Sequence, residues 1–394
     1  MRCDICRCIG IAMNRIFLHI GLEKTGTTAL QVFLRDNEER LRDAGFTYLC
    51  DNARSYFDTT AHFPLAACFS RECPDFVAAE KFRSADEVLG ELGADIRASQ
   101  QDVILSCEQL SSRLISSDEV RRLRDAMAGR PVTVVCYIRR QDDLALATYT
   151  TSVRHGRRTP FSVGEVHPVD RRYDFLAILD LWSSVFSRES IIVRRFDRNH
   201  LAGADICRDF AGLLGIAVGE SFSFPGDLNV SLDSKQVEML RMTNQFLSTF
   251  DEGRQLYDAA QLVRRHLLKA LPTGSPIRGL LTSEDRRMIM ARFDVMNSVL
   301  EQRFFRPGDL HDWQSSQIPG GIPEARPARP TCEDFAEALA RVGEECLAAL
   351  ETPSSNVDEV GSSAALETPS NNVDDVGSPA ATPSGIISRL FRLR

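Results

Sequence analysis

Apolar positions along this chain switch repeatedly between a strand-like and a helix-like spacing. The run Ile16-Phe17-Leu18-His19-Ile20 is long enough for one buried strand, and Ala29, Leu30, Phe33, Leu34 and Leu41 then recur at helical spacing until Gly45 offers a stop. Val103 to Cys107 reads as a second short buried strand, and Val132 to Ile138, rich in β-branched residues and bounded by Pro131, is the clearest strand in the chain. Ile191-Ile192-Val193 opens a further strand ending near Phe196. Helical spacing falls between them: 84–99, a helix capped by Ser117 or Asp118, 141–155, Tyr173 to Phe186, and 203–214 ending at Gly215. Residues 46–80 show neither period and read as irregular. This alternation predicts βαβ units and an α/β fold, a P-loop-type, mostly parallel sheet flanked by helices.

After Asn229 the pattern is helical without strands, over 232–250, 254–271 and 283–303, which predicts a C-terminal helical extension. The expected division is a leader over 1–13, an α/β domain over 14–225, the extension over 226–305, and a linker with one more helix over 306–348. A sixteen-residue unit, Ala349 to Ala364, then recurs as Ala365 to Ala380 with three substitutions. This acidic, Pro/Ser-rich segment, 349–384, cannot bury enough apolar surface to fold, so a disordered tail is expected. The end, 385–394, mixes apolar residues with three arginines and is a candidate for a weak contact with a protein or an anionic membrane surface.

Composition narrows the picture only modestly. With 43% hydrophobic and 26% charged residues in 394, the chain is ordinary for a globular protein, and a net charge of −8 gives no reason to expect a nucleic-acid partner. No stretch approaches the roughly 20 uninterrupted apolar residues of a membrane span, and the N-terminus lacks the apolar centre of a secretory signal. The eleven cysteines are mostly dispersed; Cys107 and Cys136 lie in apolar runs where cysteine acts as a small buried hydrophobe, which points to a reducing, cytoplasmic setting. Cys3, Cys6 and Cys8 form a C-x-x-C-x-C cluster without the fourth ligand of a structural zinc site, so no metal is expected. Synthesis starting at Met13 would make the leader dispensable.

The chemistry concentrates in the turn after the first strand, Gly21-Leu22-Glu23-Lys24-Thr25-Gly26-Thr27-Thr28. A loop at this place leaves backbone N–H groups and the positive end of a helix dipole facing outward, a natural seat for phosphate or sulfate. The general phosphate loop, G-x-x-x-x-G-K-[ST], carries its lysine after the second glycine. Here Thr27 takes that position and Lys24 lies inside the loop.

K-T-G-T-T after a strand resembles the 5′-phosphosulfate loop of sulfotransferases that use 3′-phosphoadenosine 5′-phosphosulfate (PAPS). Three further stretches carry the resemblance: Leu105-Ser106-Cys107-Glu108, Tyr137-Ile138-Arg139-Arg140-Gln141-Asp142-Asp143, and Arg172 to Phe186. The chain is similar to a bacterial member of that family, and the resemblance covers roughly residues 14–250. The resemblance implies a PAPS-dependent enzyme that sulfates a hydroxyl or amine, on a carbohydrate or small metabolite. It implies that Lys24, Thr25, Gly26, Thr27 and Thr28 hold the 5′ end of the cofactor, and that Arg139 holds the 3′-phosphate. The family's serine eight positions after that arginine is Ala147 here, leaving the neighbouring Thr148 as the candidate hydroxyl.

Lys24 is the candidate to stabilise the leaving group, and Glu108, just past a strand end, is the first candidate for general base, with His62 the second. Arg154, Arg157 and Arg158 are candidates for reading an anionic acceptor. Two competing readings stay open, a P-loop kinase or NTPase and a nucleotide-binding scaffold without catalysis. For Glu108 the alternative is a cap on the polar loop after it, for His62 packing beside Phe63, and for Arg139 an ion pair with Asp142 or Asp143.

Overall fold

The computed structural model describes residues 14–74, 77, 79–226, 232–247, 277–318, 330, 331, 333–338, 340 and 341. Its centre is a five-stranded, all-parallel sheet: β1 (Ile16–His19), β2 (Phe46–Tyr48), β3 (Asp102–Ser106), β4 (Val132–Ile138) and β5 (Ile191–Arg195), in the order β2-β3-β1-β4-β5. Ile16, Leu18, Val103, Ile104, Leu105 and Val134 to Ile138 are all fully buried, as expected where helices cover both faces of a parallel sheet. Helices flank it: α1 (Thr27–Asp36), α2 (Glu38–Asp43), α3 (Pro64–Ala67), α4 (Ala85–Ala98), α5 (Gln109–Arg113), α6 (Ser117–Ala126), α7 (Gln141–Arg154), α8 (Phe175–Phe186) and α9 (Ile206–Leu213).

The strand order decides where a ligand can enter. From β1 the chain moves through β2 and β3 on one side, then crosses to β4 and β5 on the other. Such a reversal opens a crevice beyond the carboxyl ends of the central strands. Three turns meet there: residues 20–26 after β1, 107–108 after β3, and 139–140 after β4.

Several local features differ from the sequence reading. The irregular stretch 46–80 contains the edge strand β2 and the short helix α3. The first helical pattern is two helices, because Asn37 turns away from helical geometry between α1 and α2 and bonds Phe33 and Ser223. The cap of α6 is Ser116, whose hydroxyl accepts from the Glu119 N–H while the Glu119 carboxylate accepts from the Ser116 N–H.

Beyond the sheet, α10 (Ser234–Leu247), α11 (Ser283–Ala291) and α12 (Asp294–Phe304) supply the helical extension. Periodicity over 283–303 is thus carried by two helices. The stretch after residue 305 is packed as far as Ile318: Leu310 and Trp313 are buried, and the Arg195 guanidinium lies 5.7 Å from the Trp313 ring. At the start of α7, buried Asp142 takes 2.7 and 2.5 Å ion pairs from Arg140 and Arg286. Burial works against this charge, but the two guanidiniums hold the carboxyl below its usual range. Residues 333–338 are helical. The Cys3/Cys6/Cys8 cluster, Met13, the 254–271 helix, the sixteen-residue repeats and the arginine-containing end lie outside the described residues. Among the described residues, no helix is long and apolar enough to cross a membrane.

Candidate functional site

The turn after β1 is shaped by its neighbours before it can hold anything. The Ile20 and Leu22 N–H groups donate to Val135 and Tyr137 carbonyls, extending the β1/β4 register past the strand. Thr25, fully buried, returns its hydroxyl to the Leu22 carbonyl at 2.5 Å. Lys24 (φ 68°) and Gly26 (φ 76°) both take the left-handed backbone. Left-handed residues within a turn of this kind bring successive N–H groups into an anion-binding concavity. Gly26 is required twice over, since a Cβ there would also lie 2.8 Å from the Phe196 ring.

Side chains from the other two turns clamp the loop. Ser111 on α5 donates to the Gly21 carbonyl at 2.8 Å, and Ser112 donates to Glu23 at 3.0 Å. Arg139, at the end of β4, donates to the Lys24 carbonyl at 3.1 Å and lies over the Phe196 ring. Asp142, one of its suggested partners, is engaged by Arg140 and Arg286 instead.

Lys24, Thr27, Glu108 and Arg139 are therefore brought together around the loop. Glu108 is 8% exposed, and its Oε2 accepts from the Gln31 amide at 2.6 Å. Burial raises its carboxyl above the usual range; its own N–H, Gln31 and Thr27 pull the other way, and the Glu23 charge adds to the rise. Burial likewise lowers the Lys24 ammonium, against the attraction of Glu23 and Glu108 and together with repulsion from Arg154 and Arg172. Thr28, the next hydroxyl, is exposed at the first turn of α1. Thr148 is half-buried on α7, where the neighbouring Ala147 supplies no hydroxyl.

His62 is placed differently. It is fully buried, its Nδ1 accepts from the Ser106 N–H at 3.2 Å, and Tyr48, Tyr56 and Phe57 surround the ring. Burial drops its pKa to about 3, so it stays neutral and is a feeble base at neutrality. Of the basic stretch, Arg157 is committed to Glu165 and the Tyr149 ring, whereas Arg154 sits near enough to act on Lys24.

Sequence reasoning assigned no role to His19, Gln31, Ser106, Ser111 and Arg172. His19 pairs in register with Ser106 across β1 and β3, and its Nδ1 lies 2.8 Å from the Ser106 hydroxyl. The usable signal was Gln31, a polar residue four positions after Thr27 and therefore on the same helix face, inside an otherwise apolar stripe.

No protein-family model matches the chain. It is 26% identical over 193 residues to an uncharacterized protein of Archaeoglobus fulgidus, an overlap covering 48% of this chain and 51% of that protein. The chain thus spans about half the length of this relative. A crystal structure of a sulfotransferase from Alicyclobacillus acidocaldarius aligns with 64% of this chain and 97% of its own at 17% identity and a TM-score of 0.33, a weak structural resemblance to a bacterial sulfotransferase.

Proposed function

We propose that the crevice binds PAPS and that the protein transfers its sulfuryl group to a hydroxyl or amine acceptor, on a carbohydrate or a small metabolite. The observation that carries this reading is Lys24, held left-handed in the turn between the central strand and α1, with Glu108 close enough to act on its charge. The residues present suit the 5′ end of such a cofactor: a cation, exposed hydroxyl Thr28 and the amides of a ten-residue helix. A kinase would need its lysine at position 27, where a buried threonine supports Glu108 instead.

When bound, PAPS supplies a sulfuryl group attached to a phosphate leaving oxygen. Lys24 and the loop amides would stabilise the negative charge such a leaving oxygen acquires, being already in place before it forms. Thr25, through its hydroxyl on the Leu22 carbonyl, and Gly26, through its left-handed backbone, shape the cradle, and Thr27 and Thr28 mark the helix start. We assign Arg139 to the 3′-phosphate, with Thr148 as the hydroxyl in place of the missing serine. Glu108 accepts the acceptor's proton, because burial has made it a stronger base than an exposed carboxylate.

Titration calorimetry with 3′-phosphoadenosine 5′-phosphate (PAP) and with ATP plus magnesium tests the assignment. PAP is expected to bind at least tenfold more tightly; tighter ATP binding would overturn it.

A further inference from the structure

Behind Glu108 lies a run of buried polar groups that the proposed reaction does not itself use. Gln31, 1% exposed on α1, places its amide nitrogen 2.6 Å from Glu108 Oε2 and 3.3 Å from Ser106 Oγ. An amide nitrogen carries two hydrogens, so one donor group serves both contacts. Ser106 Oγ in turn lies 2.8 Å from His19 Nδ1, and both residues are fully buried. The chain of contacts joins α1, β3 and β1, and it ends against the loop. A Cβ at Gly21 would stand 2.7 Å from His19 Nε2.

A side chain needed only to fill this space would be apolar, since burying an amide costs free energy unless its hydrogen bonds are made. The two donors are instead spent on a carboxylate and on the hydroxyl that anchors the amide. We propose that Gln31 is a positioning residue for Glu108: its amide, tethered through Ser106 to His19, fixes the direction of the carboxylate at the loop and favours its charged form. The proposal rests on the reading of Glu108 as the general base. An amide takes up no proton near neutrality, and His19, whose pKa burial drops to about 3, does not compete for one. Within this run of contacts, Glu108 is therefore the group that takes up a proton.

The other groups that bear on Glu108 are Lys24 and Glu23 from the loop, Thr27 from α1, Tyr48 from β2 and the adjacent Cys107. Lys24 and Glu23 act in opposite senses, and the Tyr48 and Cys107 groups are pushed far up and stay neutral. Gln31 and Thr27 are the side-chain hydrogen bonds that favour the carboxylate.

Infrared difference titration of the ligand-free full chain reads this directly, with the Glu108 carboxyl band identified by its loss in Glu108→Gln. Gln31→Met keeps the length and removes the donors, and the titration midpoint is expected to rise by about one pH unit. Ser106→Ala cuts the tether and is expected to move the midpoint the same way by less. An unmoved midpoint in a Gln31→Met protein with native circular dichroism overturns the proposal; should that variant fail to fold, an unmoved midpoint in Ser106→Ala does so. Calorimetry with PAP on the same proteins separates the two readings. Absence of PAP binding by the unaltered chain sinks the cofactor assignment whatever the midpoints do, whereas PAP binding with an unmoved midpoint sinks only the role of Gln31.

Discussion

Lys24 holds a backbone conformation that costs an L-residue about 1–2 kcal/mol, and it does so at the place where the loop meets the crevice. Strain retained at one position is worth reading as function only when an outlier is observed, and here φ is 68°. We expect Lys24→Gly to raise stability by about 1 kcal/mol, since glycine enters this region freely, while PAP affinity falls at least tenfold. Urea denaturation and calorimetry measure the two effects; unchanged PAP affinity would remove the ammonium from the site. Glu108 and His62 show the same force acting in opposite directions. Burial disfavours charge in both, so the carboxyl becomes a better base and the imidazole a poorer one. Residue type alone ranks histidine well as a base near neutrality; its surroundings reverse that ranking.

Among the elements, the break between α1 and α2 shows how one side chain can end a helix that periodicity would continue. Asn37 is fully buried; its amide donates to the Phe33 and Ser223 carbonyls at 2.8 and 2.7 Å, and its oxygen accepts from the Ser223 N–H at 2.7 Å. It thereby ties the end of α1 to a segment 186 residues away. Asn37→Ala is expected to lose about 1–2 kcal/mol, because the bond to the Phe33 carbonyl and the two part-buried bonds to Ser223 are lost together. A shift in the urea midpoint at constant slope checks this, and a loss under 0.5 kcal/mol, roughly the level of a neutral surface change, would contradict it. The strands β1, β3 and β4 were readable because their apolar runs are continuous. β2 was not, since Phe46-Thr47-Tyr48 is too short to show a period and is held by pairing with β3.

At the scale of the whole molecule, the buried histidines set the response to acid. His19 and His62 fall from 6.5 in the ordinary state to about 3 when folded. Below pH 6.5 the unfolded chain takes up protons that the folded chain refuses, so stability is full above 6.5 and declines as pH falls toward 3. Each histidine contributes roughly 1.4 kcal/mol of loss per pH unit within that window. Glu108, shifted upward, works in the opposite sense, gaining stability as pH falls, but it is one group against two. Denaturation at pH 7 and pH 5 should therefore show a clear drop, and a flat profile would mean that the histidines protonate in the native state.

The sequence by itself determined the parallel α/β class, the positions of the strands that carry continuous apolar runs, and the candidate anion loop. These depend on local periods, on glycine and on residue chemistry within a short window. Only the tertiary structure decided which candidates share a crevice. Strand order brought the ends of β1, β3 and β4 together, side-by-side register set His19 against Ser106, and helix packing turned Gln31 toward Glu108 while enclosing His62 among aromatic rings. Burial and hydrogen-bond partners arise between residues far apart in the chain, and they determine how readily a side chain takes or releases a proton.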